Sequence, residues 1–429
     1  MNTKEVPAHP SLEQYKKQAK DLLKSVKSGN LQMVQSILQR LKQDHPRPGR
    51  LAELELKEAE LRLADAQFLI ARDYGFESWP RFAKHIESLA RESSPASTFE
   101  SAVDAVVAGD LPKLQRMLRE VPGLVRERSA RLHHATLLHY VGANGVENYR
   151  QKTPKNAVDV AEVLLKAGTD VNAVADIYGG SDTLGLAATS VYPALAGVQE
   201  ALIDILLEHA AKLSEGLVNA CLANGRGQAA EHLVKRGAPL DLEGSAGVGR
   251  LDLVKSFFNG KGSLKDNATQ RQMELGFLWA CEYGRTDVVD FLVQNDLRVD
   301  AMPHGETGLH WAAYTGRVDI VKRLLQKKAP LDVKDKRHGG TPLEWALHAW
   351  NDPPLGTERD HYYEVVALLA AAGAKVDSAW LEGAAEVPWR KKSALTPACL
   401  PPFGAKFHRV SVVDAPQQYS KLRGLLQPL

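Results

Sequence analysis

A chain of 429 residues, 44% apolar and 25% charged, is long enough for two or more domains or one extended array and can bury a substantial core. Its formal net charge of +2 gives no global electrostatic case for a nucleic-acid partner, and three widely spaced cysteines (Cys221, Cys281 and Cys399) argue against a disulfide framework and for a reducing compartment. The first residues lack the apolar core of a signal sequence and no stretch approaches a membrane-spanning length, so a cytoplasmic chain without a membrane partner is expected.

From Ser11 to about Glu92 the apolar spacing is helical throughout, and residues 1–92 read as an N-terminal helical domain. Ser11 is placed to cap a helix over SLEQYKKQAKDLLKSV, with Gln14 set for a capping box, and Leu12, Tyr15, Ala19, Leu22 and Leu23 form its apolar stripe. Gly29 stops that helix and NLQMVQSILQRLKQ forms the next. AELELKEAELRLADAQFLIARDYG is a long third helix ended by Gly75, and SWPRFAKHIESLA is a short fourth. RESSPAST, 91–98, reads as a linker.

Beyond the linker, glycines recur where the first helix of a helical pair must end: Gly109, Gly145, Gly225, Gly249, Gly284 and Gly316. The clearest unit lies in GETGLHWAAYTGRVDIVKRLLQKKAPLDVKDKRHGGTPLEWAL, 305–347, where Thr307, Leu309 and His310 recur 34 residues later as Thr341, Leu343 and Glu344. Ala312 and Ala313 permit close helix contact, Gly316 ends the helix, VDIVKRLL makes a second helix, and KKAPLDV leads into an extended hairpin. Such a unit cannot bury its apolar face alone and must stack on neighbours. The turn, the small pair and the period together resemble ankyrin repeats. That resemblance implies a mainly α solenoid of helix-turn-helix plus hairpin units, drawn here over residues 98–384 as about eight units, several degenerate or carrying insertions.

The string LADAQFLIARDYGFESWPRF resembles the helical leader that precedes ankyrin arrays in many bacterial proteins, which makes residues 1–92 a solubilising cap. ATLLHYVGANGVENYRQKTPKNAVDVAEVLLKAG and YGGSDTLGLAATS are similar to strings of a large bacterial ankyrin subgroup. The step from Gly225 to Gly249 is only 24 residues, against 35 and 32 for the next two, so the unit at SAGVGRLDLVKSFF is expected to have lost much of its first helix. The proline-rich segment 385–429 reads as an irregular C-terminal tail.

Candidate functional residues follow from the repeat template. By the resemblance, His139 and His310 bond backbone between neighbouring hairpins. Tyr140, Trp279, Trp311 and Trp345 share one position, where core filling competes with a base-stacking platform. Positions facing the groove are expected to be exposed and to bind a partner: Asn144, Ser190, Glu282, Tyr283, Tyr314 and His348, with Tyr178, His304 and Glu306 on the hairpins. Three insertions, 144–156, 191–199 and 350–363, fall at one point of the repeat and should emerge along one edge. Asn148, Tyr149, Arg150, Lys152, Asp182, Tyr192 and Trp350 are the candidates there.

No phosphate-binding glycine loop, dinucleotide fingerprint, H-E-x-x-H or G-x-S-x-G is present, so no cofactor and no catalytic residue is assigned. Glu344 and His348 lie four apart on one helical face, but no second spaced pair completes a metal-ligand set, and no metal is assigned. The expectation is a non-catalytic protein-binding module or scaffold with a protein partner. The alternative is an enzyme or small-molecule binder with a pocket under the insertions at 144–156 and 191–199. Mutual packing of the insertions would explain them without any ligand.

Overall fold

The computed structural model describes residues 3–7, 10–27, 31–44, 62–91, 94–351, 353–354 and 359–375. Gly29, the first half of the expected long third helix and the whole of the 385–429 tail lie outside the described residues. Among the described residues the fold is helical, with isolated bridges Ala175–Ser181 and Phe258–Leu264 in place of strands. The chain divides into two compact units, Met1–Lys212 and Leu213–Leu429.

The first unit opens with α1 (Leu12–Lys27), α2 (Leu31–Asp44), α3 (Leu63–Asp73) and α4 (Trp79–Leu89). Tyr15 and Ala19 of α1 meet Ala66 and Ile70 of α3 and Phe82 and Ile86 of α4 in one buried cluster, closed by Tyr74 and Phe76. The Tyr15 and Phe82 rings meet edge to face at 4.9 Å, and the Tyr74 and Phe82 rings stack at 5.1 Å. Burial of each such ring stabilises by about 1.5–3 kcal/mol. Gly75 turns the chain out of α3 with φ +82°; a Cβ there would sit 3.1 Å from Thr3 Cγ2, so the turn needs glycine for both conformation and space.

Next come α5 (Pro95–Ala108) and α6 (Leu111–Glu120). The expected linker is therefore partly helix: Ser94 caps α5, its Oγ accepting from Ser97 N at 3.1 Å, and Pro95 supplies the first helical residue. The unit continues with α7 (Leu137–Val141), α8 (Ala157–Lys166), α9 (Thr183–Thr189), α10 (Val191–Leu195) and α11 (Gln199–Glu208). Helix α9 ends without the repeat glycine. Gln199 substitutes for it, its Nε2 lying within 3.0 Å of the carbonyl oxygens of Ala187, Ala188 and Ser190 and so satisfying the helix end.

The second unit pairs α12 (Leu217–Ala223) with α13 (Gly227–Lys235), α14 (Leu242–Gly247) with α15 (Leu251–Ser256), and α16 (Gln270–Glu282) with α17 (Thr286–Gln294). It continues with α18 (Gly308–Tyr314) and α19 (Val318–Gln326), then α20 (Pro342–Asn351) and α21 (Arg359–Ala371). All six of the recurring glycines have positive φ, between +67° and +81°, as a left-handed helix end requires.

The short step between Gly225 and Gly249 has a different origin from the one expected. Helix α14 is nearly as long as α12 and α18, and Ser245–Gly247 is helical, not loop. What is missing is the hairpin: only 236–241 separates α13 from α14, whereas 327–341 separates α19 from α20. Asp241 compensates by capping α14 directly, accepting from Gly244 N at 2.8 Å. Trp350 is likewise the end of α20 and Tyr363 part of α21, so the third insertion is shorter than the sequence pattern implied.

Candidate functional site

In the first unit the strongest electrostatic feature is a closed ring of buried charges that no single motif announces. Glu100 lies on α5, Arg131 on the loop between α6 and α7, and Glu147 and Arg150 in the first insertion, where residues 148–150 form one 3-10 turn. Arg131 bridges the two carboxylates, Nη1 donating to Glu100 Oε1 and Nε lying 2.8 Å from Glu147 Oε1. Arg150 closes the ring, Nη1 donating to Glu100 Oε2 at 2.5 Å and lying 3.5 Å from Glu147 Oε1. Its Nη2 takes Asp104 Oδ1 at 2.7 Å. Phe76 and Tyr149 lie under the guanidiniums of Arg131 and Arg150 at 5.6 and 5.5 Å.

Burial by itself would raise the Glu100 carboxyl, but Arg131 and Arg150 overcome it and hold the group at about 2. Glu147 feels the same opposition, and Arg131 and His133 keep it well below the usual carboxylate range. His85 of α4 is buried beside this ring with Nε2 3.7 Å from Glu100 Oε1 and neither nitrogen hydrogen-bonded. Burial drives it down to about 4, so it is neutral near pH 7. The ring ties α5 to the insertion, and Phe76 and His85 bring the N-terminal helices against it. Leu132 N donating to Gly75 O at 2.8 Å adds a backbone tie at the same seam.

The insertion candidates thus occupy separate places. Arg150 is buried and committed to Glu100, Asp104 and Glu147, whereas an exposed edge position was expected; its hydrogen bonds run back to α5. Tyr149 and Tyr192 are half-buried, Asn148 and Lys152 exposed. Asp182 caps α9, accepting from Gly185 N at 2.7 Å.

The structure does bring together three of the expected groove residues. Tyr178 Oη donates to Asn144 Oδ1 at 3.0 Å, Asn144 Nδ2 donates to Thr189 Oγ1 at 3.1 Å, and adjacent Ser190 donates through Oγ to Ala143 O at 3.2 Å. Asn144 and Ser190 are buried, against the expectation of exposure, because they stitch α9 to the loop after α7. Tyr178 as a residue is 69% exposed, with φ +52°, and its ring edge lies beside Gly145.

In the second unit the groove positions divide. His304 is exposed, its ring edge-to-face with Trp279 at 5.8 Å. Tyr283, Tyr314 and His348 are half-buried, and Glu282 and Glu306 are buried. Tyr283 reaches inward to donate to Leu222 O at 2.6 Å, and the Tyr314 and His348 rings stack at 6.5 Å. The bulk of neighbouring side chains closes positions that smaller residues would leave open. Glu282 has Oε2 without a hydrogen bond, and burial raises its carboxyl to about 8. Burial, then the nearby Asp335, raises Glu306 to about 7.

The tryptophans pack edge to face, Trp279 to Trp311 at 6.2 Å and Trp311 to Trp345 at 5.3 Å. Trp279 Nε1 donates to Glu243 Oε1 at 2.8 Å and Trp345 Nε1 to Asp335 Oδ2 at 3.1 Å. This is core filling, with the outer two indole N–H groups hydrogen-bonded and Trp311 Nε1 buried without a hydrogen bond. His310 takes the bonds that the resemblance implied: Nδ1 accepts from Thr307 N at 3.1 Å and Nε2 donates to Gly340 O at 3.1 Å, joining two hairpins. Glu344, at the equivalent place, accepts from Thr341 N at 2.7 Å, so a carboxylate replaces the imidazole in the cap.

Sequence reading missed two sets. The charge ring joins Glu100 to arginines 31 and 50 residues away, and its only local sign was charged residues inside apolar stretches. The second set had a visible signal: an arginine follows Gly225, Gly249, Gly284 and Gly316. Arg285 Nε donates to Gly247 O at 3.0 Å and Arg317 Nε to Glu282 O at 2.9 Å, each closing the end of the preceding unit's first helix.

Among the described residues no helix is long and apolar enough to cross a membrane. No curated protein matches the chain. Among solved structures, the chain is similar to the human ASB11 ankyrin repeat domain, with 19% identity and a TM-score of 0.33, over 64% of this chain and 99% of that one. A family model described as ankyrin repeats (3 copies) matches residues 242–336 and 277–379. With the helix pairs, the glycine-ended first helices and the His310 cap already in place over that span, residues 242–379 are ankyrin repeats.

Proposed function

We propose that this chain is a non-catalytic protein-binding module and that Tyr178 is its anchor in the first unit. Ankyrin repeats are protein-interaction modules, which sets the class of function. The observation that carries the reading is Tyr178 itself. A non-glycine residue held at positive φ costs about 1–2 kcal/mol, and such strain persists where the surroundings impose it for a purpose. Here the backbone conformation and the bond to Asn144 fix the aromatic side chain of a residue that stays 69% exposed. A large ring immobilised before binding loses little entropy on contact, which is how interface anchors gain affinity. Val174, 55% exposed, lies on the same hairpin segment and extends the apolar surface.

The same proposal takes the array as starting near residue 98, the N-terminal helices as its cap, and the cytoplasm as its compartment. The Phe76 ring under Arg131 and the Leu132 N–Gly75 O bond support the cap by joining the end of the N-terminal helices to the loop that holds the charge ring. Immobilised wild-type and Tyr178→Ala chains, exposed to lysate of the source cells and compared by quantitative mass spectrometry, test the reading. A protein retained by the wild type and lost by the variant, with an unchanged melting temperature, supports it. Identical retention by both chains removes Tyr178 from the interface.

A further inference from the structure

The second unit carries an unpaired cationic strip that neither the repeat pattern nor the Tyr178 reading uses. The hairpin between α19 and α20 runs Lys334-Asp335-Lys336-Arg337-His338, with Lys334, Lys336 and Arg337 exposed and no ion pair to any of the three among the described residues. Its acid points the other way. Asp335 is buried and accepts four hydrogen bonds, Oδ1 from the backbone N–H groups of Arg337 (2.9 Å) and His338 (2.6 Å), and Oδ2 from Gly340 N (2.7 Å) and Trp345 Nε1 (3.1 Å). The loop is therefore rigid, its negative charge consumed inward and its positive charges held outward.

The strip continues onto the preceding hairpin. Lys336 N donates to Gly305 O at 3.0 Å, and the Lys336 side chain lies over Gly305, whose added Cβ would meet Lys336 Cβ at 3.1 Å. From the start of α16, exposed Arg271 reaches Pro303 O of that hairpin through Nη1 at 3.4 Å, and its charge, after burial of the ring, lowers the His304 pKa. Of the nearby carboxylates, Asp300 pairs with Arg298 at 2.8 Å, Glu306 is buried, and exposed Asp332 accepts from Lys375 N at 3.1 Å. Lys334, Lys336 and Arg337 on one hairpin and Arg271 at the start of α16 thus lie along two adjoining hairpins with no ion pair to any of the four among the described residues.

We propose that this strip docks a carboxylate-rich segment of a partner protein, with Lys336 and Arg337 as its principal contacts. The inference rests on the protein-binding reading and adds the chemistry of what is bound. Exposed cations on a rigid support steer an acidic chain and confer salt-dependent association without needing a closed pocket. Arginine supplies a planar fork that matches a carboxylate in two bonds, and lysine a mobile point charge beside it.

The test uses the full chain and a fluorescein-labelled decaglutamate peptide, followed by anisotropy at low and raised sodium chloride. Wild type should bind and weaken steeply with salt. K334E/K336E/R337E should lose at least about ten-fold in affinity, the scale expected when close cross-interface charge pairs are reversed. A control of equal charge change at other exposed arginines, R116E/R119E/R126E, should change binding less than about two-fold, because the strip and not the net charge holds the peptide. Equal loss in both variants, or none in the first, overturns the proposal. So does tighter binding of a DNA duplex than of the peptide, which would make the strip a nucleic-acid surface. Tyr178→Ala should bind decaglutamate as the wild type does, so failure of the Tyr178 interface and failure of this one are told apart.

Discussion

The two units bury charge in opposite ways. In the first, Glu100 and Glu147 are buried together with Arg131 and Arg150, and each carboxylate is held ionised by the arginines around it. In the second, Glu282 and Glu306 are buried without such a partner, and their carboxyls are pushed up to about 8 and about 7. Glu282 does have Arg226 and Arg317 as neighbours, but the Nε groups of both serve backbone carbonyls, Asn224 O and Glu282 O. Burial alone therefore does not decide the state of a carboxylate; whether a cation is geometrically free to meet it does.

The largest effect should come from breaking the ring. Arg131→Ala strands two buried carboxylates and is expected to destabilise the first unit by about 3–5 kcal/mol. Hydrogen exchange in peptides from α3 to α8 reads this separately from the second unit. A loss under about 1 kcal/mol would mean that the ring is solvated and that the contrast between units is false.

Acid and base should sharpen the contrast because the two units respond with opposite sign. His85 and His139 are lowered by burial to about 4, so between pH 6.5 and 4 the unfolded chain binds protons that the folded unit refuses. Stability from each is complete above pH 6.5 and falls as pH drops, by up to about 3 kcal/mol per group. Glu100, lowered from 4.5 to about 2, loses its contribution below that window, in the same direction. Glu282 and Glu306 are raised, so the folded second unit keeps protons the unfolded chain releases, and its stability falls as pH rises from 4.5 towards 8. Urea titrations at several pH values, resolved by peptide exchange, should show the first unit weaker at pH 4.5 than at 7 and the second stronger. Glu282→Gln, which cannot ionise, should reduce the alkaline loss of the second unit and stabilise it by about 1–2 kcal/mol at pH 8.

The smallest effect concerns Tyr283. The repeat template made it an exposed groove residue whose substitution leaves stability untouched, but its hydroxyl donates to the buried Leu222 carbonyl. Tyr283→Phe should cost about 1 kcal/mol, measured by thermal or urea unfolding, the value of one hydrogen bond with a stranded acceptor. No change would return Tyr283 to the groove.

Sequence alone determined much about this protein. Apolar spacing placed helices; glycine marked where first helices end, since only a residue without a Cβ adopts a left-handed end freely; and the Thr307–His310 turn fixed the repeat. These signals are local, a few residues in length, and survive in a one-dimensional string. Tertiary structure alone decided the rest. The missing hairpin before α14 looked like a lost helix because a glycine step measures total length and not which piece was removed. Arg150 looked like an exposed edge residue because its partners Glu100 and Asp104 lie 50 and 46 residues away. Tyr178 and Glu306 are both hairpin residues, yet one is exposed and the other is buried. Burial and ion pairing depend on neighbours brought in by packing, and that information is in the fold.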